Sequence, residues 1–389
     1  MEIIHLILGK ANPNRMNGVN KVVNEMASRQ TEAGYLVQVW GITANPVHDY
    51  PERNFKTVLF QSYANPFKLD PELQSACKKL AGSIVFHIHG AFLPTFYSAT
   101  RLFKSLQIPY IITPHSTYNK VMMKKNWLLK DLYFKFFEKK LLDGAYRVHL
   151  LGKSEWEGLD AIYNNNKSVL IPYGFTKPSI AIESPEDTKK IRIAYCGRMS
   201  THPKGLDILL NGFASFHKKY SNSQLIMIGD GADRLKLELL AIKLGVKDSV
   251  EFTGGLFGEE KVKKLKTCHL FAHPSRTDGL PATIVEAASL GIPCLVSDAT
   301  NTGDYIQKYD AGLLMGTLSS DSFEEGLEIL YKRIMENKEG PKLQANAIKM
   351  ITQAFDWDAI LKRFNEIYQN ALLSKKNVEK SRLVSMVSN

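Results

Sequence analysis

The stretch FAHPSRTDGLPATIVEAASLGIPCLVSD, residues 271–298, contains a strand, a turn, a helix and a second strand. Apolar residues up to Phe271 predict the first strand. Pro281 fits the first position of the helix, which ends near Gly291 before a strand over residues 293–296. A strand, a helix and a second strand in this order predict a parallel α/β unit.

Two acids lie around the turn in this stretch. Asp278 directly precedes the turn, and Glu286 follows inside the helix among apolar neighbours. An ionised carboxylate in such surroundings is costly unless a polar group pairs with it. The N-terminus of a helix also binds anions, because its first N–H groups have no partners inside the helix. We therefore expect a ligand with phosphates and hydroxyls at this turn.

Short apolar runs alternate with helical patterns on both sides of this stretch, which predicts parallel sheets covered by helices in two doubly wound α/β domains. The pattern stops around residues 175–189, a segment rich in proline, serine and charge that we interpret as a linker. The expected domains are residues 1–174 and 190–354. Residues 355–389 are expected to form a C-terminal helix, packing back toward the N-terminal domain, and a tail. The predicted strands are residues 3–8, 35–42, 83–89, 110–113, 147–151, 168–172, 191–197, 223–229, 249–255, 269–274 and 292–298.

The composition restricts the class of protein. A length of 389 residues suits two domains, and 44% hydrophobic residues indicate a globular chain. With no long apolar run and no signal-peptide cleavage site, we expect a cytoplasmic protein. A net charge of +11 favours anionic partners without choosing among nucleic acid, membranes and phosphate-bearing substrates. The cysteines lack the spacing of a disulfide framework or a zinc site: Cys77, Cys196, Cys268 and Cys294.

The segment from Lys120 to Lys140 holds seven lysines interleaved with aromatic residues. This mixture is typical of a surface that contacts an anionic membrane, here peripherally at the inner face of the plasma membrane. No nucleic-acid motif accompanies it, so no nucleic-acid partner is expected. In the alternative interpretation the lysines are only solvated, and four apolar residues form the core face of a helix: Leu128, Leu129, Leu132 and Phe136.

Glycines mark several loops at strand ends, where ligands bind in open α/β sheets. Asn17 and Gly18 follow the first strand and directly precede a helix, where glycine permits close approach of the backbone to a ligand. Gly229 and Gly254 mark two further loops of this kind. A plain turn or helix cap is the alternative interpretation at each position.

Two cations follow the first strand of the second half. Arg198 and Lys204 stand six positions apart before the next helix. Two cations at a strand-to-helix crossover suit a diphosphate. Ordinary surface charge is the alternative interpretation of this pair.

Three histidines and one pair of acids are candidates for metal binding or catalysis. The HxH spacing puts His87 and His89 on one side of a strand, but no Asp, Glu or Cys stands beside them to complete a metal site. Asp356 and Asp358 form a DxD pair at a helix start, where Asp is an ordinary cap. His115 follows a strand on a polar loop and is the better catalytic candidate. We therefore expect no metal site.

The segments GRMSTHPKG (197–205), IGDG (228–231) and FTGG (252–255), together with residues 271–298, resemble the retaining GT-B glycosyltransferases of the GT4 family, also called glycosyl transferases group 1. The resemblance covers nearly the whole chain and is strong in the second half. It implies a GT-B fold, in which two Rossmann-like doubly wound domains face a central cleft.

The sequence departs from the family pattern at three places. The glycine pair near the N-terminus is Asn17 and Gly18 here, and the usual asparagine after the interdomain proline is Tyr173. The two glutamates of the family signature become Asp278 and Glu286. Because Asp is one methylene shorter than Glu, Asp278 reaches a different hydroxyl, acts through a water or leaves space for a bulkier sugar substituent.

The resemblance implies roles for individual residues. Arg198 and Lys204 would bind the diphosphate of a nucleotide-sugar donor and stabilise the charge that grows on it as the glycosidic bond breaks. Glu286 would accept hydrogen bonds from the ribose, and Asp278 would face the donor sugar. The other implied contacts are the backbone N–H groups of Gly279 and Leu280 at the phosphate, Asn17, Gly18, Gly229 and Gly254 around the donor, and His115 near the reacting centre.

The implied activity is that of a retaining, metal-independent hexosyltransferase of class EC 2.4 that requires no cofactor. It would move a sugar from a UDP- or GDP-linked donor to a hydroxyl of a growing glycan, such as a lipid-linked or surface polysaccharide precursor of capsule, O-antigen or exopolysaccharide. The first alternative is a nucleotide-sugar epimerase or hydrolase on the same fold. The second is a sugar or nucleotide binder without catalysis.

Overall fold

The computed structural model describes residues 1–12, 18–124, 126–175 and 190–387. Asn17, Lys125 and nearly all of the expected linker therefore lie outside the described residues. The chain divides into two compact units, which we call the N-terminal unit and the C-terminal unit. The first comprises Met1–Tyr173 with the final helix from Trp357, and the second comprises Gly174–Asp356.

The N-terminal unit contains, within its described residues, a parallel sheet of seven strands. These are β1 (Glu2–Leu8), β2 (Leu36–Thr43), β3 (Lys56–Gln61), β4 (Ile84–His89), β5 (Tyr110–Thr113), β6 (Arg147–Leu150) and β7 (Ser168–Leu170). Their order across the sheet is β3, β2, β1, β4, β5, β6, β7. The helices are α1 (Gly18–Glu32), α2 (Pro71–Leu80), α3 (Pro94–Ser105), α4 (Lys120–Lys124), α5 (Trp127–Tyr133), α6 (Lys139–Gly144) and α7 (Lys153–Asp160), with a π-helical turn, Phe134–Glu138, between α5 and α6.

The C-terminal unit has, in its described part, a parallel sheet of six strands. These are β8 (Ile191–Cys196), β9 (Ser223–Ile228), β10 (Val250–Gly254), β11 (Leu270–His273), β12 (Cys294–Val296) and β13 (Gly312–Leu314), in the order β10, β9, β8, β11, β12, β13. Its helices are α8 (Thr201–Lys204), α9 (Leu206–Lys219), α10 (Arg234–Lys243), α11 (Gly258–Lys266), α12 (Ala282–Ser289), α13 (Gly303–Tyr309), α14 (Ser320–Tyr331) and α15 (Gly340–Ala354). The last helix, α16 (Trp357–Val387), packs into the core of the N-terminal unit through Phe364 and Tyr368.

Each sheet has a point where the strand order reverses. The chain leaves β1 toward β2 and returns to β4 on the other side of β1, and β8 and β11 have the same relation in the second sheet. Loops that follow two such strands diverge and leave a crevice at the carboxyl ends of the strands. The loops after β8 and β11 carry Arg198 and Asp278, so these two predicted site residues lie at the switch point of the C-terminal sheet.

The predicted fold of two doubly wound α/β domains is confirmed, and each predicted strand is present. Two strands, β3 and β13, were not predicted from the sequence. Pro281 was also placed one position too far into its helix: its backbone is extended, with ψ 114°, so it caps α12 and the helix begins at Ala282.

In the segment from Lys120 to Lys140, Phe134 is buried, but the four residues of the expected core face are not. The exposed fractions are 64% for Leu128, 70% for Leu129, 56% for Leu132 and 55% for Phe136. The interpretation of these four residues as a core face is therefore wrong. In the parts of the chain that the structure describes, no helix combines the length and apolar character needed to cross a membrane.

Candidate functional site

Lys204 and Asp278 form an ion pair in the C-terminal unit, and Nζ of the lysine lies 2.5 Å from Oδ2 of the acid. Lys204 ends α8, and Gly205 follows with a φ of 64°. A Cβ atom at Gly205 would lie 1.8 Å from the carbonyl oxygen of Pro274, so only glycine permits this approach. The glycine therefore brings the lysine to the loop that carries the acid.

Polar contacts hold the Asp278 loop in place. The Ser275 hydroxyl donates to the carbonyl of Pro203 at 2.8 Å. Arg276 forms two hydrogen bonds of 2.7 Å with the carboxylate of Asp207, the strong bidentate geometry of an arginine–carboxylate pair. Asn301 donates to the carbonyl of Asp278 at 3.2 Å. The ion pair is thus built on a fixed backbone.

His273, at the end of β11, forms a hydrogen bond with the carboxylate of Asp278. Its Nε2 lies 3.1 Å from Oδ2 of Asp278, and its ring is buried and stacked on Tyr195 at 5.4 Å between centroids. Burial by itself raises the pKa of Asp278, but the hydrogen bond from His273 and the charge of Lys204 outweigh it and lower the pKa to about 2. Asp278 is therefore ionised at neutral pH.

Glu286 also has a partner inside the protein. Oε1 of its carboxylate lies 2.7 Å from Nζ of Lys261, which comes from α11. The polar partner that the sequence argument assigned to a ligand is therefore supplied by the chain itself. The second oxygen, Oε2, has no hydrogen-bond partner within the described residues.

The N-terminus of α12 leaves donors available. The backbone N–H groups of Gly279 and Leu280 have no hydrogen-bond acceptor among the described residues, and Pro281 has no N–H group. The carbonyl of Gly279 accepts a hydrogen bond from Asn301. Two free N–H groups at a helix N-terminus can bind an anion.

Arg198 lies apart from the ion pair. Its side chain is exposed, and its carbonyl accepts hydrogen bonds from the Tyr195 hydroxyl at 3.1 Å and from the Ser200 N–H at 2.9 Å. Across the described residues, no hydrogen bond joins its side chain to the carboxylate of Asp278. The structure thus brings Lys204 and Asp278 together and leaves Arg198 on the neighbouring loop.

A backbone hydrogen bond joins the loops of Gly229 and Gly254. The N–H of Gly229 donates to the carbonyl of Gly254 at 2.8 Å. A Cβ atom at Gly229 would lie 2.0 Å from the carbonyl oxygen of Gly197, which directly precedes Arg198. In the other unit, a Cβ atom at Gly18 would meet no described atom within 4 Å, so protein packing alone does not require that glycine.

His115 follows β5 in the N-terminal unit with a left-handed backbone, φ 56°. Its Nε2 lies 3.1 Å from Nδ1 of His89, and its Nδ1 lies 3.3 Å from the hydroxyl of Tyr173. Burial lowers the pKa of His115 to about 3, so the ring is uncharged at neutral pH. Both ring nitrogens are therefore engaged within the unit.

The HxH pair has a third histidine beside it, His5, which could not be recognised from the sequence by looking for nearby acids and cysteines. The rings of His87 and His89 stack at 4.3 Å between centroids, which confirms that they share one side of β4. His5 from β1 joins them, and one nitrogen from each of the three rings lies within 4.8 Å of the others.

Sequence reasoning missed His273 and Lys261 as well. His273 had a usable signal, because it is a histidine at the end of a predicted strand, five positions before Asp278. Lys261 had none: it is one of several lysines on α11, and only the fold selects it.

Two family models match the chain. Residues 16–175 match the model described as Glycosyltransferase Family 4, and residues 176–354 match the model described as Glycosyl transferases group 1. One relative is a GDP-mannose-dependent alpha-(1-6)-phosphatidylinositol monomannoside mannosyltransferase of Mycobacterium tuberculosis, 25% identical over 164 residues. That alignment covers 40% of this chain and 42% of the relative, so the chain spans less than half the length of this relative.

Solved structures share the fold. The lipopolysaccharide outer core galactosyltransferase WaaB superposes with a TM-score of 0.71 and 18% identity, covering 96% of this chain and 100% of that chain. Anabaena Alr3699/HepE in complex with UDP superposes with a TM-score of 0.72 and 17% identity, covering 95% and 100%. With both halves matched in order and a GT-B fold in common with these enzymes, the chain belongs to the GT4-type glycosyltransferases, the family described as glycosyl transferases group 1.

Proposed function

We propose that the protein transfers a sugar from a nucleotide-diphosphate sugar to a hydroxyl of a growing glycan, with retention of anomeric configuration and without a metal. The observation that carries the proposal is the Lys204–Asp278 ion pair beside the free N–H groups of Gly279 and Leu280. A fixed cation beside a helix N-terminus suits a diphosphate. The GDP-mannose named for the mycobacterial relative and the UDP bound by the Anabaena protein support this class of donor.

The leaving group needs positive charge as the sugar–phosphate bond breaks. Arg198 and Lys204 supply two cations, and the N-terminus of α12 supplies a partial positive charge, so the chain can stabilise the departing diphosphate without a divalent ion. In this proposal the bond from C1 of the sugar to the phosphate oxygen breaks as the acceptor oxygen bonds to C1 on the same face. The phosphate oxygen takes the acceptor proton, and no protein carboxylate has to act as the base.

The two acids have separate parts in the proposed reaction. Asp278 is held by His273 and in turn holds the amine of Lys204, so it orients the cation as well as facing the donor sugar. Glu286 uses one oxygen for Lys261, which leaves Oε2 to accept a ribose hydroxyl. His115, from the N-terminal unit, is proposed to lie near the reacting centre.

We further propose a lipid-linked or surface-polysaccharide acceptor and peripheral contact with an anionic membrane. A surface on the N-terminal unit, formed by the exposed apolar side chains of α5 and the following turn and by nearby lysines, supports this. Trp127 is 61% exposed, and Leu128 and Leu129 are more so. Apolar side chains ringed by lysines match a bilayer with anionic headgroups. The lipopolysaccharide named for WaaB is an acceptor of this kind.

The activity test begins with a thermal-shift screen against UDP, GDP and ADP sugars. The purified protein is then incubated with the best donor and lipid-linked acceptors, and the products are identified by mass spectrometry. Transfer of the sugar to an added acceptor supports the proposal. Isomerised or merely hydrolysed donor with each acceptor identifies an epimerase or hydrolase, and no stabilisation by any nucleotide counts against both enzymes.

Two further measurements test the finer parts. EDTA is expected to leave the transfer rate unchanged, and a rate that falls with EDTA and returns with Mg²⁺ would contradict metal independence. Nuclear magnetic resonance of the product at early times is expected to show the donor's anomeric configuration. An inverted product contradicts the proposed same-face displacement.

The membrane contact is tested by sedimentation with vesicles that contain anionic phospholipid. Replacing Lys124, Lys130 and Lys135 by Gln, or Leu128 and Leu129 by Ser, is expected to release the protein from these vesicles. Exposed lysines of α2 in the same unit supply the matched control, Lys78→Gln with Lys79→Gln. Binding that survives both sets of changes at α5 contradicts the proposal.

A further inference from the structure

A continuous chain of hydrogen bonds runs through the core of the N-terminal unit and includes five histidines. The side chains come from β1, β4, β5, β6, α1 and α16 and from the loops after β5 and β7, and they are joined end to end. The consecutive contacts are Ile171 O to His149 Nε2 (2.7 Å), His149 Nδ1 to Thr113 Oγ1 (2.7 Å), Thr113 Oγ1 to His87 Nε2 (2.6 Å), His87 Nδ1 to Tyr368 OH (2.8 Å), Tyr368 OH to Gln30 Nε2 (3.3 Å), Gln30 Oε1 to His5 Nε2 (2.6 Å), His5 Nδ1 to His89 Nε2 (2.9 Å), His89 Nδ1 to His115 Nε2 (3.1 Å) and His115 Nδ1 to Tyr173 OH (3.3 Å).

The Ile171 carbonyl sets the direction of the chain at one end. A carbonyl only accepts, so His149 carries its proton on Nε2 and its Nδ1 accepts from the Thr113 hydroxyl. That hydroxyl has no second proton, so His87 donates to it from Nε2. Nδ1 of His87 must then accept from the hydroxyl of Tyr368.

The same logic continues to the other end. The Tyr368 hydroxyl donates its hydrogen bond to His87, so the amide N–H of Gln30 must donate to the Tyr368 oxygen. The carbonyl oxygen of Gln30 then faces His5. His5 donates from Nε2 and accepts at Nδ1 from His89, which in turn accepts at Nδ1 from His115. With neutral rings this is the one assignment in which each contact pairs a donor with an acceptor.

We propose that this chain fixes the neutral Nε2–H form of His115 from the carbonyl of Ile171, which makes His5 and His89 positioning residues for the sugar-transfer site. The positioning role rests on the proposed function, because it assumes that His115 lies near the reacting centre. The hydrogen-bond chain itself does not. Tyr173, which stands where the family usually has asparagine, closes the chain by donating to Nδ1 of His115.

The chain holds a strained turn. His115 and Ser116 have φ values of 56° and 65°, in the left-handed region that residues with a side chain rarely adopt. Such a backbone persists only when its surroundings hold it. His89 and Tyr173 hold the ring of His115 through its two nitrogens.

A metal site formed by His5, His87 and His89 is the competing assignment. A metal ligand needs a nitrogen with a free lone pair. In this chain each of the six ring nitrogens of the three residues donates or accepts a hydrogen bond. The hydrogen-bond chain therefore accounts for the close approach of the rings without an ion.

The first test reads the tautomers directly. Full-length protein labelled with ¹⁵N-histidine is examined by long-range ¹H–¹⁵N correlation, with signals assigned by single substitutions. We expect the Nε2–H pattern for the five chain histidines. An Nδ1–H pattern at His115 overturns the proposal. The spectrum is then repeated with added Zn²⁺ and again after EDTA; it is expected to stay unchanged, and shifts of His5, His87 and His89 that EDTA reverses establish the metal site instead.

The second test cuts the chain on each side of His115. In His5→Leu the donor Nε2–H of His89 loses its acceptor, so His89 is expected to turn its proton to Nδ1 and drive His115 to the Nδ1–H form, wholly or in part. His5→Asn, the matched control, keeps an acceptor oxygen and is expected to keep the Nε2–H form. Tyr173→Phe cuts beyond His115 and should leave the Nε2–H form intact. An unchanged His115 in His5→Leu, or a changed one in Tyr173→Phe, overturns the proposal, and the tyrosine variant decides alone if His5→Leu does not fold.

The third test separates positioning from stability. His5→Leu is expected to lower kcat by roughly ten- to a hundredfold through a misplaced His115, with donor KM nearly constant, and His5→Asn to recover part of the loss. A changed tautomer with an unchanged kcat overturns the positioning role and leaves the chain. Absence of sugar transfer in the unmodified protein refutes the proposed function, while the tautomer measurements still decide whether the chain exists.

Discussion

Two polar clusters, one in the core of the N-terminal unit and one at the carboxyl end of the C-terminal sheet, treat buried polarity in opposite ways. In the N-terminal unit burial lowers the pKa of His5 and His149 to about 4, and their ring nitrogens are hydrogen-bonded to uncharged groups. In the C-terminal unit Asp278 stays ionised and is paired with Lys204. A neutral chain can hold a shape at low electrostatic cost, whereas a charged pair can exchange partners with an incoming phosphate. The difference suits one unit to positioning and the other to binding the donor.

Mild acid should distinguish the two units most strongly. Five buried histidines in the N-terminal unit have a lowered pKa, so between pH 6.5 and about 4 the unfolded chain binds protons that the folded unit does not: His5, His87, His89, His115 and His149. Stability of this unit is therefore lost as the pH falls through that range, by about 1.4 kcal/mol per pH unit for each net proton. Glu138 and Glu155, whose pKa burial raises to about 7, act in the opposite direction above pH 4.5 but number two against five.

The C-terminal unit is expected to lose stability at a lower pH. Asp278 contributes stability above its ordinary pKa of 3.8 that is lost as the pH falls toward 2, and burial lowers the pKa of His217 and His273 in this unit. Urea unfolding at pH 7, 6 and 5 measures the contrast. Tryptophan fluorescence reports on the N-terminal unit alone, because Trp40, Trp127, Trp156 and Trp357 all belong to it. Hydrogen exchange of β8 and β11 follows the other unit, and equal losses in both contradict the comparison.

Removing a cation should have the next largest effect. Lys204→Ala and Arg198→Ala are each expected to lower turnover on the order of a hundredfold or more, since each deletes charge stabilisation at the leaving group. Steady-state kinetics with the identified donor measure the loss. Lys263→Ala is the matched control, because Lys263 is 80% exposed on α11 and lies 4.0 Å from Glu259. Near-normal turnover without Lys204 would refute its role.

Lengthening Asp278 should have a smaller effect. Asp278→Glu restores the residue of the family pattern but moves the carboxylate from the position in which Oδ2 contacts both Lys204 and His273, so turnover is expected to fall about tenfold and donor preference to change. Competition between UDP- and GDP-sugars measures both. Glu251→Asp, in the Lys264 ion pair of the same unit, is the control for altering a carboxylate by one methylene. Unchanged rate and preference would mean that the shorter side chain carries no specificity.

Two tyrosine substitutions, one in each unit, are expected to have the smallest effects, and these are effects on stability. Tyr195→Phe removes one hydrogen bond to the carbonyl of Arg198, which keeps the Ser200 N–H, so we expect about 1 kcal/mol less stability. Tyr368→Phe leaves two buried atoms of the chain without a partner, Nε2 of Gln30 and Nδ1 of His87, and should destabilise by about 2 to 3 kcal/mol. Urea unfolding of each variant measures the difference. Equal losses would show that the chain is no more than separate hydrogen bonds.

Local signals in the sequence predicted most of the fold. Apolar β-branched runs marked eleven strands, but β3 mixes Lys56 and Gln61 with its apolar residues, and β13 has only three residues after a left-handed Asp310. Pro281 was misplaced because its fixed φ suits both a helix start and the cap before it. These errors arise where a short segment fits two conformations and the surrounding packing decides.

The candidate site divides in the same way. Asp278, Glu286, Arg198 and Lys204 stand out because charges beside strand-end glycines are a local pattern. Their partners do not: His273 and Lys204 meet at Asp278, and Lys261 meets Glu286, only after β8 and β11 pair and α11 and α12 pack nearby. The exposure of Leu128 and Leu129 was equally open, since an amphipathic pattern can face a core or a membrane.

Three features could be predicted from the sequence alone: the alternation of strands and helices, the position of the cations and acids at strand ends, and the resemblance to one family. The tertiary structure decided which of these groups are partners, and it alone joined His5 to Gln30 and Gln30 to Tyr368 across 338 residues. The cause is the difference in sequence separation between the residues that interact. Secondary structure follows from neighbours a few positions apart, whereas a hydrogen bond requires atoms within about 3 Å, and only the folded sheet places such distant residues that close.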